Sequence, residues 1–242
     1  MEDHTIRLNK YLANAGVCAR RDVKQLLKDK TVTVNGERAT EPGVRIDPRK
    51  DVIAIDGKKM TAPTLVYYLL NKPKGVVSTT ADEFGRKNVT KLVPSEQRVY
   101  PVGRLDKDTT GLIILTNDGE LTNLLTHPRY HVDKIYRLTI NGRLDKFQLK
   151  ALRDGVLLDD GITYPAQVTI IKESNENSIV EMKIHEGRNR QIRRMCETVD
   201  ADLVALQRVQ FGPIAINGLK EGAYRELTKK EIEVLQKTAK KV

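Results

Sequence analysis

One carboxylate, Asp106, stands beside Arg104 in the segment Gly103-Arg104-Leu105-Asp106-Lys107-Asp108-Thr109-Thr110-Gly111, a loop bounded by glycines. The apolar run Leu112-Ile113-Ile114-Leu115 follows at once and gives way to the turn residues Asn117-Asp118-Gly119. A short apolar run bounded by turn residues reads as a buried strand. Asp106 is therefore expected in a connection that enters the core, where a rigid scaffold often presents a reactive group. The plainer alternative is an exposed turn aspartate paired with Arg104. A second concentration of chemistry is His185-Glu186-Gly187-Arg188-Asn189-Arg190-Gln191-Ile192-Arg193-Arg194-Met195. From Lys183 to Arg194 there are five cations and one anion, the densest positive run in the chain. A strand ending at Gly187 and a helix starting near Asn189 would aim guanidinium groups and helix N–H donors at one place, an arrangement suited to phosphate. The alternative is a solvated basic helix.

The elements that must hold these groups read as strands with occasional helices. Residues 66–70 form a strand, stopped by Asn71-Lys72-Pro73-Lys74-Gly75 and resumed at Val76-Val77; Pro73 denies the ladder a donor and predicts a bend or edge. The polar stretch 80–98 is expected as a mobile loop close to the substrate, with no role assigned to Asp82, Glu83, Arg86 or Lys87. Residues 120–127 should be a short helix ended by Pro128, and 134–140 a strand closed by Asn141-Gly142. Phe147, Leu149 and Leu152 mark a helix, and 168–171, 179–184 and 203–211 are further strands. Thr228-Lys229-Lys230-Glu231 is a capping box opening a terminal helix with Ile232, Leu235 and Ala239 on its apolar face.

The front of the chain reads as a separate small unit. Leu8, Tyr11, Leu12 and Ala15 form the stripe of a short helix, stopped by Gly16. A second helix is expected from about Ala19 to Asp29, burying Ala19, Val23, Leu26 and Leu27. Its solvent face carries Arg20, Lys24 and Lys28, with Arg21 adjacent. Val32-Thr33-Val34 ends in Asn35-Gly36, a hairpin signal because both central residues of a type I′ turn need positive φ. Residues 52–55 give a further strand ending in Asp56-Gly57. Met60-Thr61-Ala62-Pro63-Thr64 is the expected linker.

Composition narrows the partners. Forty-two Lys+Arg against 32 Asp+Glu give a formal charge of +10, which favours a polyanion without separating RNA from DNA or an acidic lipid surface. Trp is absent and aromatics are only 5%, so the core must be aliphatic. Cys18 and Cys196 make no metal-ligand spacing and read as small hydrophobes on helices. His4, His127, His131 and His185 are scattered; His185 is open to either an RNA contact or a structural role. No phosphate loop, zinc spacing or dinucleotide fingerprint is present, so neither an organic cofactor nor a metal is implied. The N-terminal residues do not form a signal peptide, and the apolar run 65–70 is far short of the roughly 20 residues that span a membrane. A cytoplasmic protein is expected.

Four motifs in order, Lys72-Pro73-Lys74-Gly75-Val76-Val77-Ser78, the 103–119 stretch, Lys134-x-Tyr136 and Gln191-Ile192-Arg193, resemble those of bacterial ribosomal RNA pseudouridine synthases of the RsuA/RluB type. Arg7-Leu8-Asn9-Lys10-Tyr11-Leu12, Gly16, Arg20-Arg21 and Val32-x-Val34-Asn35-Gly36 resemble the alpha-L RNA-binding motif of a small-subunit ribosomal protein. The resemblance runs over about residues 5–235 and implies an α+β protein. Residues 1–60 would be the alpha-L RNA-binding domain and 65–242 a catalytic domain on a mixed, largely antiparallel sheet. It implies that Asp106 is the essential group, that Tyr136 stacks on the target uracil and that Arg193 pairs with Asp106. RNA contacts are expected from Arg20, Arg21, Lys24, Lys28, Lys72, Lys74, Arg104, Arg188, Arg190 and Arg194.

The implied reaction suits a lone carboxylate. Breaking a glycosidic bond develops positive charge on the sugar, which a carboxylate can stabilise or attack. No water needs activating, because the released base is the next nucleophile. Asp106 must stay ionised for this, and an adjacent guanidinium favours the charged form. Attack on C1′, attack on C6 of the base and abstraction of a sugar proton are all open to it. The substrate is expected to be ribosomal RNA or a partly assembled ribosomal subunit, and the protein a monomer. The 188–194 run, with Gly218-Leu219-Lys220-Glu221-Gly222 and Arg225-Glu226-Leu227, leans toward a large-subunit target; the small-subunit type stays open. The competing reading is a ribosome assembly factor that binds RNA without catalysis. A DNA-binding regulator would need a recognition helix and a dimer interface, and neither stands out.

Overall fold

The computed structural model describes residues 5–61, 63–80 and 85–238. His4, Ala62, Asp82, Glu83 and Ala239, named above, lie outside them. The chain divides into two compact units: residues up to Val66 with Ser95–Arg98 and Asn117–Gly119, and the remainder.

In the front unit β1 (Ile6–Arg7) leads into α1 (Leu8–Asn14), and α2 (Val23–Asp29) is followed by β2 (Val32–Val34), β3 (Glu37–Arg38), β4 (Arg45–Ile46), β5 (Ile53–Ile55) and β6 (Lys58–Lys59). Four of these make a sheet in the order β3-β2-β5-β6, and β1 pairs with β4. Leu8, Leu12, Val23, Val32, Ile46 and Ile53 close the core. Asn35 (φ 54°) and Gly36 (φ 88°) take the positive-φ pair that the β2–β3 hairpin requires. The second helix starts at Val23 and not near Ala19. The Asp22 N–H donates to Ala19 O and closes a separate turn there, so Arg20 and Arg21 sit on that turn and only Lys24 and Lys28 on the helix. Cys18 lies on the bend after α1, not on a helix.

The second unit is built on a nine-stranded sheet. Its strands are β7 (Tyr67–Lys72), β8 (Tyr100–Pro101), β9 (Thr110–Thr116), β10 (Lys134–Asn141), β13 (Gln167–Glu173), β14 (Asn177–Ile184), β15 (Leu203–Phe211), β16 (Ile214–Ala215) and β17 (Tyr224–Glu226). A separate hairpin is formed by β11 (Leu157–Leu158) and β12 (Gly161–Ile162). The sheet order is β13-β14-β10-β15-β9-β7-β17, with β16 on β15 and β8 on β9. Every pairing is antiparallel except β15 with β9. The sheet is thus mixed and largely antiparallel, as the α+β expectation had it. Helices α3 (Gly119–Thr126) and α6 (Lys229–Thr238) supply Leu121, Leu125 and Leu235 to the core around β7 and β9. Helices α4 (Lys146–Asp154) and α5 (Gln191–Thr198) supply Leu152, Ile192, Met195 and Cys196 to the core around β10, β14 and β15.

Local chemistry explains where elements stop. Leu112 to Leu115 are fully buried because β9 is central and covered on both faces. The β7 strand runs on through Asn71 and Lys72, beyond the expected stop. The Asn71 side-chain amide donates to Leu219 O at 2.7 Å, although its Oδ1 is buried without a partner, and the Lys72 ammonium finds carbonyl acceptors inside. Val76-Val77 does not resume a strand; Val77 makes only an isolated bridge to Asn88. Within 85–98 a 3₁₀ turn, Val89–Leu92, is capped by the Asn88 side chain. Phe147 is 84% exposed: α4 packs through Leu149 and Leu152, and Phe147 points elsewhere.

Candidate active site

The loop from Gly103 to Thr109 enters the central strand β9, and three contacts fix its path. Ser78 Oγ donates to Leu105 O at 2.9 Å and accepts the Leu105 N–H at 3.1 Å. The Gly75 N–H donates to Lys107 O at 2.9 Å. The Lys72 ammonium donates to Val76 O (2.8 Å), Pro73 O (3.1 Å) and Lys107 O (3.3 Å). Asp106 therefore lies between two anchored neighbours, with its own carbonyl accepting the Thr109 N–H. Burial pushes the Lys72 ammonium down to about 8, against the opposing pull of Asp108, Asp106 and Glu221.

Facing this loop is the N-terminal turn of α5. Arg193 Nε lies 3.9 Å from Asp106 Oδ2, with the two side chains 14% and 29% exposed. Arg193 Nη2 donates to Asp108 O and Thr109 Oγ1, each at 3.3 Å. One guanidinium thus spans the end of the Asp106 loop and sets a positive charge beside the carboxylate. Tyr136 on β10 lines the same cavity, of about 390 Å³, together with Asp106, Thr109, Arg193 and Arg104. A half-open pocket with an aromatic wall and the Asp106 carboxylate facing it suits a flipped nucleotide.

The turn between β14 and α5 is held by Glu186, which accepts from Gln191 Nε2 (2.6 Å), the Tyr164 N–H (2.9 Å) and Arg188 Nε (3.0 Å). Arg188 also donates to Gly161 O and Ile162 O, and Arg194 pairs with Asp159 and Asp160. These two arginines clamp the β11–β12 hairpin. Arg190 is exposed, has φ 48° and lies on the cavity wall.

Of the residues expected at the site, Asp106, Tyr136, Arg193, Arg104, Arg188 and Arg190 line one cavity. Lys74 and Arg194 do not line it. Lys72 needs correction as an RNA contact: it is fully buried and its donors are spent on three carbonyls, so it presents nothing to a phosphate. Arg188 and Arg194 have their guanidinium groups committed to carboxylates and carbonyls of the protein. Arg20, Arg21, Lys24 and Lys28 are exposed on the front unit. Cys196 is buried and its thiol is pushed up to about 12 by that burial, which keeps it inert.

Among the wall residues given no role in the sequence are Lys134, Arg208 and Phe211. Arg208 and Phe211 sit in an alternating strand and carry no local motif. Lys134 lies in the Lys-x-Tyr signature, but only the tyrosine had a role there.

Comparison with known proteins bears on the whole chain. A family model described as RNA pseudouridylate synthase matches residues 66–198, and an S4 domain matches residues 6–53. Ribosomal large subunit pseudouridine synthase B of Bacillus subtilis (strain 168) is 43% identical over 238 residues, covering 96% of each chain. The dual-specificity RNA pseudouridine synthase RluF of Escherichia coli (strain K12) is 34% identical, covering 96% of this chain and 79% of its own. The crystal structure of a pseudouridylate synthase matches with a TM-score of 0.68 and 32% identity, covering 95% of this chain and 99% of that one.

Proposed function

Because the chain belongs to the RNA pseudouridylate synthase family and carries an S4 domain at its front, we propose that it isomerises a uridine of ribosomal RNA, in the large subunit rather than the small, with Asp106 as the reacting group. The enzyme is an isomerase. The N1–C1′ bond breaks, a C5–C1′ bond forms, and the C5 proton is replaced by one on N1, so no other reactant is consumed. The observation that carries the site assignment is the carboxylate of Asp106, 3.9 Å from Arg193 Nε on the wall of the cavity that Tyr136 also lines. In this reading Asp106 meets the sugar or base, Arg193 sets a positive charge beside it, and Tyr136 receives the flipped uracil. Residues 1–60 hold the RNA through Arg20, Arg21, Lys24 and Lys28, while Lys74, Arg104 and Arg190 are the phosphate contacts of residues 65–242. The named Bacillus relative supports the choice of the large subunit. No described helix is long and apolar enough to cross a membrane; our reading is a cytoplasmic monomer acting on free ribosomal RNA or a partly assembled subunit.

Pseudouridine mapping of unmodified large- and small-subunit ribosomal RNA, treated with wild type and with Asp106→Asn, tests this. A new pseudouridine in the large-subunit RNA with wild type alone is the expected result. Modification by both proteins removes Asp106 from the chemistry, and modification confined to small-subunit RNA moves the target. Tight binding with no modification of either RNA favours the assembly-factor reading.

A further inference from the structure

Arg208 on β15 is 3% exposed, yet one of its donors has no acceptor. Its Nε donates to Leu112 O at 2.7 Å, its guanidinium carbon lies 4.8 Å from the centre of the Phe211 ring, and its Nη2 is buried and unpartnered. The residue lines the cavity that holds Asp106. It also pairs directly with Tyr136 across the β10–β15 ladder. Residues directly opposite one another share a sheet face, so the Arg208 side chain leaves the strand on the face that carries Tyr136.

Lys134 is two residues before Tyr136 and so on that same face. Its ammonium donates to His185 O at 2.9 Å and lies 5.9 Å from the centre of the same Phe211 ring. Burial, reinforced by the Arg208 charge, holds it down at about 8. The nearby carboxylates are occupied: Asp133 pairs with Lys183 at 2.8 Å, and Glu186 holds Arg188 and Gln191. Two cations thus share one aromatic ring in the cavity wall, and among the described residues neither forms an ion pair. Buried charge of this kind calls for a counter-charge.

We propose that Arg208 and Lys134 form a phosphate subsite that takes a phosphodiester beside the target uridine while the base lies on Tyr136. A uracil carbonyl would occupy one donor and leave both positive charges uncompensated. A phosphodiester oxygen does both jobs. The reaction gains from such an anchor: once N1–C1′ breaks, the base must turn while C1′ stays at Asp106, and the sugar–phosphate chain is the part of the substrate that can be held through that turn. Fixing the flanking phosphate holds the reacting carbon in register while the base is free to rotate. The subsite rests on the uridine isomerase reading above.

The test is a chemical double-mutant cycle. The ribosomal RNA fragment located by mapping is synthesised with a single neutral methylphosphonate on the 5′ or the 3′ side of the target, and single-turnover rates are measured. On wild type, one of the two replacements should slow isomerisation about 10- to 100-fold, the range of a hydrogen bond to a charged group. Lys134→Met and Arg208→Met should be slow on ordinary RNA and should lose little more on that same modified RNA. Lys134→Met leaves the Leu112 contact in place, so it decides the matter even if Arg208→Met does not fold. Fully independent effects of protein and RNA changes, or a wild type indifferent to both methylphosphonates, would overturn the subsite and leave the isomerase reading standing. A wild type that makes no pseudouridine in any RNA would remove both.

Discussion

Lys72 and Asp106 bring opposite charges into one corner of the fold, and only Asp106 faces the cavity. The Lys72 ammonium is buried and acts as a staple between the end of β7 and the loop that carries Asp106. Lys72→Met would leave the carbonyls of Pro73, Val76 and Lys107 short of a donor. The expected loss is about 2–4 kcal/mol in stability, together with a fall in kcat as the loop loosens; denaturant unfolding and single-turnover rates check both, and unchanged values would dismiss the staple. Within Lys72-Pro73-Lys74-Gly75 this residue reads as a surface cation, because the carbonyl that completes its cage comes from Lys107, which sequence proximity does not reveal. Arg193 was legible for the opposite reason, since its motif is local. Arg193→Met removes the charge beside Asp106 and two contacts to the loop, and kcat should drop by roughly 10²–10³-fold. Arg193→Lys should recover only part of that, because an ammonium cannot reach Asp106, Asp108 O and Thr109 Oγ1 together.

The joint between β9 and β15 decides whether the Asp106 loop and the Arg208 wall meet. Gly111 makes it possible: it has φ 105°, and a Cβ there would stand 2.3 Å from Arg208 O. Gly111→Ala should therefore cost several kcal/mol, of order 4 or more, and displace the parallel pairing. Gly142 also has positive φ (73°) but open space around it, so Gly142→Ala should cost only about 1–2 kcal/mol. Thermal unfolding of the two variants separates crowding from backbone preference. A second element-level device is the α6 cap. Two bonds from Arg225, with further bonds from the Thr228 N–H and hydroxyl, hold Glu231 down at about 2. Because the folded form has the lower pKa, this contribution is complete above the ordinary glutamate range of about 4.5 and is lost as pH falls toward 2. Discounted for partial exposure it is about 1–2 kcal/mol, and Glu231→Gln should flatten the stability-against-pH curve in that window. The α6 cap, the buried run of β9 and the full length of β15 were legible because each is a local pattern. The late start of α2 and the long end of β7 were not: one turns on an extra hydrogen-bonded turn at Asp22, the other on partners far along the chain.

At the scale of the whole molecule, a charge of +10 predicts affinity for RNA, but the structure redistributes where that charge is available. Arg188 and Arg194, from the densest positive run, are bound to Asp159, Asp160 and Glu186, and Lys72 is sealed inside. Composition counts these cations equally with free ones, which is why the sequence could indicate a polyanionic partner without locating the surface that meets it. Of the expected RNA contacts, Arg20, Arg21, Lys24 and Lys28 are exposed on the front unit, and Lys74, Arg104 and Arg190 on the catalytic unit. Phosphate contacts set affinity and its salt dependence, whereas the cavity sets the chemistry. Replacing the four front-unit cations by glutamine should therefore weaken binding and lower the slope of log K against log salt by roughly 3. The loss should fall on kcat/KM far more than on kcat at saturating RNA. Replacing Arg188 and Arg194 by glutamine should do the reverse, leaving the salt slope nearly unchanged while lowering stability through the freed hairpin. Filter binding across a salt series, run beside thermal unfolding, distinguishes the two sets. A salt slope that follows Arg188 and Arg194 instead would place the RNA-facing charge on the catalytic unit and require those internal ion pairs to open when RNA binds.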